Sequence, residues 1–469
     1  MSTSNNTSNS FLNKIINNIL LFIIAFLPLS NPIGQVLTNG FNLNSNVLLW
    51  KEFLIFIVII LMLIQIILLK KLINIKFIIL FFSILLLIGF STLSNKIGLQ
   101  TILIGFRFEL FWIMFLCVGS DWLNNFGAIE IKKLIFGLYF GIISILLLTL
   151  SSLIFGAQNF YTFLQYKENL DGLNKVSSLY CHSIDASGLG CRLSGGFNNP
   201  NHFAAYLVLV IPIVIYFLFN NKSYIIIKIT NILLFTILIL FSWLNYSRFA
   251  WLTLGILFLI MIFNLIKVNN IKLKLFTNYL IGITIFISFL ISFVIFLLPF
   301  NSKINNQLPY YLSKPGSTET HHKLTNIAKD IIIKNLPNSI YSGYGIGQAG
   351  PAAKSDYTKV EELRIVKDNI NISDKYSIPA NQIPISENWY LQLILNGGII
   401  YFLLYFYILS RPLKNIFLDN QFNFYLALSI FGLIFGNLFL HLWESSVVSI
   451  YFVIISLTIL QNEKNLEYI

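Results

Sequence analysis

Apolar runs of about twenty residues recur along this chain from residue 12 to residue 460, and a run of that length matches the hydrocarbon core of a bilayer. Inside lipid no water is present to hydrogen-bond a peptide group. Each run must therefore satisfy its own N–H and C=O groups, as an α-helix does. A membrane β-barrel would instead read as alternating segments of about ten residues, and none dominate here. The chain is 56% hydrophobic and 11% charged, with a mean hydropathy of +0.76. A soluble domain carries roughly 25% charged residues. The fold class is therefore an all-α polytopic membrane protein.

Twelve helices are expected, at about 12–30, 50–69, 77–94, 99–118, 132–156, 199–219, 224–244, 247–266, 276–299, 388–409, 421–440 and 443–460. A Ser/Asn-rich tail, Met1 to Ser10, precedes the first. No A-x-A-like cleavage site follows that run, so it reads as a spanning helix rather than a signal peptide. Basic residues set the orientation. One set of short loops holds Lys14, Lys70, Lys71, Lys76, Lys132, Lys133, Lys222, Lys228, Lys267, Lys272, Lys274, Arg411, Lys414 and Lys464. The opposite set holds chiefly Lys51, Lys96 and Arg248. The first set is read as cytoplasmic, so both termini are expected on the cytoplasmic side. The net charge of +12 then follows from this bias and not from nucleic-acid binding, because the lysines form no dense patch.

Three regions follow. Residues 1–300 hold the first nine helices and an outer loop at 157–198. Residues 301–387 form a long extracytoplasmic loop between helices nine and ten. Residues 388–469 hold the last three helices and a cytoplasmic tail. Loops longer than about 15 residues inside a compact domain are usually functional or disordered. Both long polar segments are expected on the outer face. No internal repeat is visible, which argues against an inverted-repeat transporter. Cys117 sits in an apolar run as a small buried residue. Cys181 and Cys191 lie together in the first outer loop, where a short disulfide and two thiols are both open readings.

Four constellations carry polar chemistry. The first runs from Cys191 and Arg192 through Gly195, Gly196, Asn199, Pro200 and Asn201 to His202. Pro200 suits a first helical turn and the Asn before it suits an N-cap. A helix N-terminus with Arg192 beside it attracts phosphate. These same Asn and Gly residues also read as ordinary cap and turn residues. The second is Trp243, Asn245, Ser247, Arg248 and Trp251, where Arg248 is either an interfacial anchor or a bidentate phosphate clamp.

The third lies in the long loop. Residues Thr320 to Asn335 have apolar positions at helical spacing, so they read as an amphipathic helix on the bundle or membrane surface, carrying His321, His322 and Lys323. The adjacent histidines are not spaced for one metal face. A Gly-rich turn follows at Gly343, Gly345 and Gly347; no strand precedes it, so it is not a dinucleotide site. The fourth is Glu387, Asn388, Tyr390 and Gln392, ending on Gly397 and Gly398. Glu387 either complements the dipole of the tenth helix or acts as general base toward a sugar hydroxyl. Arg107 and Glu109 sit inside the fourth helix as intramembrane charges, but an i,i+2 pair does not share a helix face. Trp443 and Glu444 open the last helix on the outer side.

At these residues the chain resembles the O-antigen ligase and polymerase superfamily of bacterial membrane glycosyltransferases. Arg192 through Asn201 looks like the family's R-x-x-G-x-x-x-N-P-N-x-x-A segment, and Ser247-Arg248 like its S-R pair. Ala328, Pro337 and the Gly343-x-Gly345-x-Gly347 run look like its helix followed by P-x-x-G-x-G. Glu387-Asn388-x-Tyr390-Leu391 looks like its H-N-x-Y-L segment. Ligases usually carry His where this chain has Glu387, and polymerase-like members often have Glu. The family Arg at the start of the loop helix is replaced by the run His321 to Lys323. Both departures lean toward polymerase.

The resemblance implies inverting glycan transfer from an undecaprenyl-diphosphate carrier to a hydroxyl of a glycan, lipid core or protein, without a metal ion or cofactor. Glu387, Arg192 and Arg248 are the expected catalytic residues. Asn199, Asn201, His321, His322, Lys323, Asn388 and Tyr390 are the expected substrate-binding residues. The alternative is a transporter or flippase of lipid-linked glycan, which would line a transmembrane path with polar groups.

Overall fold

The computed structural model describes residues 3–68, 75–125, 127–155, 163–164, 179–181, 191–197, 199–219, 225–268, 315–350, 353, 363–377, 379–380, 383–384, 388–417 and 421–467. The chain is a helical bundle. The bundle helices before the first polar segment are α1 (Thr3–Phe26), α2 (Ser30–Gln35), α3 (Trp50–Leu68), α4 (Ile75–Ser94), α5 (Leu99–Gly105), α6 (Phe111–Asn125) and α7 (Ile131–Ile154). Two short strands, β1 (Leu179–Cys181) and β2 (Cys191–Leu193), precede α8 (Pro200–Phe219), α9 (Ile225–Leu244) and α10 (Arg248–Val268). The late polar segment holds α11 (Pro315–Lys334), α12 (Asn338–Tyr341), α13 (Arg364–Lys367) and α14 (Ile370–Tyr376). The bundle closes with α15 (Trp389–Ser410), α16 (Gln421–Gly436) and α17 (Ser446–Glu467). The helix expected at 276–299 lies outside the described residues.

By length and composition, six of the described helical segments are apolar enough to cross a membrane: Phe11–Gly40, Asn46–Leu68, Leu99–Leu123, Ile131–Ser152, Pro200–Phe219 and Trp389–Lys414. Five shorter apolar helices of 10–17 residues accompany them. The first segment runs ten residues beyond its expected end. Pro28 and Pro32 lack an N–H, so the α-ladder gives way there to a 3-10 turn at Leu27–Leu29, and a π-turn follows at Val36–Gly40.

Burial separates centre from periphery. Every residue from Phe203 to Ile215 of α8, from Asn423 to Ile430 of α16 and from Val447 to Ile459 of α17 is buried, and α16 packs against both others. A helix apolar all round is buried on all sides. In α3 the pattern is one-sided. Ile55, Ile59, Met62 and Ile66 are buried, while Phe53, Phe56, Ile60, Ile64 and Ile67 form an exposed stripe at helical spacing. Water would penalise such a stripe at about 25 cal/mol per Å² of apolar surface, whereas lipid does not.

A second, smaller core forms under the late polar segment. Leu324, Ile327, Ala328 and Ile331 on one face of α11 pack with Leu363, Ile365, Val366 and Leu395. The amphipathic helix expected at 320–335 is thus present as α11, and its apolar face covers protein.

Candidate functional site

The four polar constellations are positioned by hydrogen bonds between backbone and side chain. Arg192 is the middle residue of β2, its backbone opposite Tyr180, and Cys191 is opposite Cys181 in the same antiparallel pair. Gly195 (φ 57°) and Gly196 (φ 84°) then turn the chain through left-handed conformations that favour glycine. Asn199 caps α8, its Oδ1 accepting the Asn201 N–H at 2.8 Å. Asn245, at the α9–α10 turn, donates its amide to the Leu193 carbonyl at 2.6 Å and to the Pro200 carbonyl at 2.8 Å. One buried asparagine therefore clamps the Arg192 strand and the α8 start onto the turn that leads to Arg248. Arg248 is half-buried at the start of α10, and Trp243 and Trp251 flank this turn with ring centroids 5.2 Å apart.

The end of α16 and the start of α15 meet the same place. A methyl at Gly436, the end of α16, would lie 2.3 Å from the ring of Phe249, the neighbour of Arg248. The next residue, Asn437, accepts the Trp389 N–H on its carbonyl at 3.1 Å. Its side-chain oxygen accepts the N–H groups of Leu442 and Trp443 at 3.1 and 3.2 Å. Asn388 caps α15 through the N–H groups of Tyr390 and Leu391. The Tyr390 hydroxyl donates to the Ile434 carbonyl at 2.6 Å. β2, the α8 start, the α9–α10 turn, the α16 end and the α15 start thus form one continuous cluster. Glu387 lies outside the described residues, one position before Asn388 in the sequence. The Arg192 side chain likewise lies outside what is described. His321 and Lys323 are half-buried and His322 is exposed, all on α11.

The Gly-rich run is threaded into the bundle. Helix α15 breaks at Gly398 (φ 90°, ψ 174°), and the carbonyls this break frees at Leu395 and Asn396 accept the N–H groups of Tyr344 and Gly345 at 2.7 and 2.8 Å. From the other side Ser91 Oγ accepts the Gly343 N–H at 3.2 Å, and Asn95 donates to the Gly343 carbonyl at 3.0 Å. A methyl on Gly105 would lie 2.7 Å from the Gly347 backbone, so helix and loop touch at main-chain distance. Irregular backbone in such a bundle persists only where protein satisfies it.

Beneath this loop lies Glu109, fully buried in the π-turn Phe106–Leu110 that joins α5 to α6. Its carboxylate accepts hydrogen bonds from Asn396 and, at 3.0 Å, from Tyr401. A longer contact of 3.5 Å reaches Gln392, and the Tyr405 hydroxyl donates to the Glu109 carbonyl at 2.6 Å. Asn396 turns its Oδ1 to the Ala349 N–H at 2.8 Å, so carboxylate, helix and loop form one chain of bonds. Arg107 faces elsewhere, pairing with Glu52 of α3 at 2.7 Å. The sequence marks Glu109 and Gln392 in separate places but not their pairing, nor the partners Asn396, Tyr401 and Tyr405. The signal for them was present: Gln392 and Asn396, then Tyr401 and Tyr405, are two polar i,i+4 pairs in an otherwise apolar helix.

No family model matches the chain, and neither a curated protein nor a solved structure matches it.

Proposed function

We propose that this chain is a lipid-linked glycan polymerase or ligase of the cytoplasmic membrane, built from twelve spanning helices with its long loops on the outer face. It transfers glycan from an undecaprenyl-diphosphate carrier to an acceptor hydroxyl. The observation that supports this reading best is the Asn245 clamp. It joins the backbone beside Arg192 to the turn carrying Arg248, next to the α15 start that Glu387 precedes in sequence.

The chemistry follows from those residue types. The acceptor oxygen forms a bond to the anomeric carbon while the bond from that carbon to the diphosphate breaks. The acceptor proton passes to Glu387, and the guanidinium groups of Arg192 and Arg248 stabilise the charge that develops on the departing diphosphate. Asn199, Asn201, Asn388, Tyr390 and the run His321 to Lys323 are assigned to the substrate. Arg248→Lys keeps the charge and loses the bidentate fork. In liposomes charged with lipid-linked oligosaccharide, this variant and Glu387→Gln are expected to lose chain extension while staying folded. Unchanged extension in both would refute the assignment.

A second reading has its own support. A buried carboxylate at Glu109 beside a helix broken at Gly398 is an arrangement that transporters use. A flippase of lipid-linked glycan would move the carrier and form no glycosidic bond.

A further inference from the structure

Where the threaded loop leaves the bundle, it forms a cleft of about 240 Å³ between α11, α12, α13 and the end of α4. Asn95, Asn335, Asn338, Tyr344, Arg364 and Asp368 supply its polar wall, and Ile331, Ile394 and Leu395 supply an apolar floor. This volume lies below the roughly 300–1,000 Å³ of sites that enclose a drug-sized ligand. It suits a single small ring.

The wall has unspent hydrogen-bonding capacity of both kinds. The Tyr344 oxygen accepts the amides of Asn335 and Asn369, each at 2.8 Å. Its own proton has no acceptor among the described residues. Burial raises the Tyr344 pKa above the usual phenol value, so the hydroxyl stays a donor at neutral pH. Asn335 and Asn95 spend their amide N–H groups on the carbonyls of Ile331 and Gly343, which leaves their amide oxygens as acceptors. Arg364 and Asp368 pair at 3.3 Å, and both side chains are about half exposed. The pair gives the cleft no net charge, yet it offers guanidinium N–H donors beside a carboxylate acceptor. Planar amide, guanidinium and carboxylate groups chelate vicinal hydroxyls, and an apolar floor accepts the C–H face of a ring. A phosphate would meet Asp368, and a purely apolar ligand would strip water from the whole polar wall.

We infer that this cleft is a binding site for one neutral pyranose ring, separate from the Arg192–Arg248 cluster. Assigning that ring to the acceptor glycan rests on the proposed transfer reaction. The binding itself does not.

The test is saturation-transfer-difference NMR on the full chain in nanodiscs. The probes are methyl β-glucopyranoside, methyl β-galactopyranoside and N-acetylglucosamine at millimolar concentration, with mannitol as an open-chain control. At least one pyranose is expected to receive saturation and mannitol none. Asp368→Ala and Asn338→Ala alter exposed side chains, so folding is preserved; together they are expected to weaken that binding at least tenfold. Arg248→Lys is expected to leave it unchanged. Absence of saturation with every pyranose, or equal saturation in wild type and the double variant, overturns the site. Pyranose binding that persists in a protein that makes no glycosidic bond keeps the site and removes the transfer reaction.

Discussion

Glu109 and Asn396, 287 residues apart in sequence, are hydrogen-bonded in the interior of the bundle. Through Asn396 the carboxylate reaches the Ala349 N–H, and through Tyr401 it reaches the second half of the broken helix. This pair adds a buried side-chain link among three pieces that also touch through their backbones: the π-turn between α5 and α6, helix α15 and the threaded loop.

Replacing Glu109 with Leu leaves the buried Tyr401 hydroxyl without its acceptor and the Asn396 amide with only a long 3.5 Å contact to the Ala349 carbonyl. An orphaned buried donor costs roughly 1–3 kcal/mol. The thermal midpoint of the detergent-solubilised protein is expected to fall clearly, and Glu109→Gln, which keeps one acceptor oxygen, to fall less. A Leu variant as stable as wild type contradicts the role of this pair.

Gly398 sits at φ 90°, and a methyl there would approach the Ser342 nitrogen to 2.9 Å. Gly398→Ala is expected to destabilise by about 1–3 kcal/mol through strain and displacement of the loop. Gly255 of α10 has open space around it, so Gly255→Ala is expected to be neutral or to stabilise by up to about 1 kcal/mol. Equal midpoints for the two variants would show that the break at Gly398 is dispensable.

The loop carries its own pH dependence. The side-chain hydrogen bond from Lys375, 2.5 Å away, lowers the pKa of Asp330, and the Tyr376 hydroxyl adds to the shift. A depressed carboxylate pKa means that this contribution is complete above the unfolded value of about 3.9 and disappears as pH falls through the lower folded value. Loop protection in hydrogen exchange is expected to drop in that acid window, and in Asp330→Asn to be weaker already at neutral pH. Identical protection in the two proteins at neutral pH would exclude the contact.

Asn245→Ala removes the donor for the Leu193 and Pro200 carbonyls. It is expected to lower glycan transfer at least tenfold, with the helical circular-dichroism signal retained. Full transfer in this variant would detach the strand holding Arg192 from the site.

Most of the helical frame was legible in the sequence because lipid allows few alternatives. The α3, α8 and α9 boundaries lie within about one residue of the apolar runs that announced them. Caps at Asn199 and Asn388 were legible for a similar reason, since the pattern is local. The threaded loop was not legible. Gly343, Gly345 and Gly347 announce a turn, but their partners Ser91, Asn95, Gly105 and Asn396 are remote in sequence, and nothing local names them. Glu109 stood out as an intramembrane charge, and Asn396 and Tyr401 belong to i,i+4 pairs visible in the sequence, but nothing in their spacing joins them to Glu109 until α15 is placed against the π-turn.

The most direct test supplies the purified wild-type protein, in sealed liposomes, with lipid-linked oligosaccharide and an acceptor glycan, and follows glycan length and carrier sidedness together. Chain extension with a new glycosidic bond is the result expected of a transferase. Carrier appearing on the opposite leaflet with glycan length unchanged would contradict it and leave the flippase reading in its place.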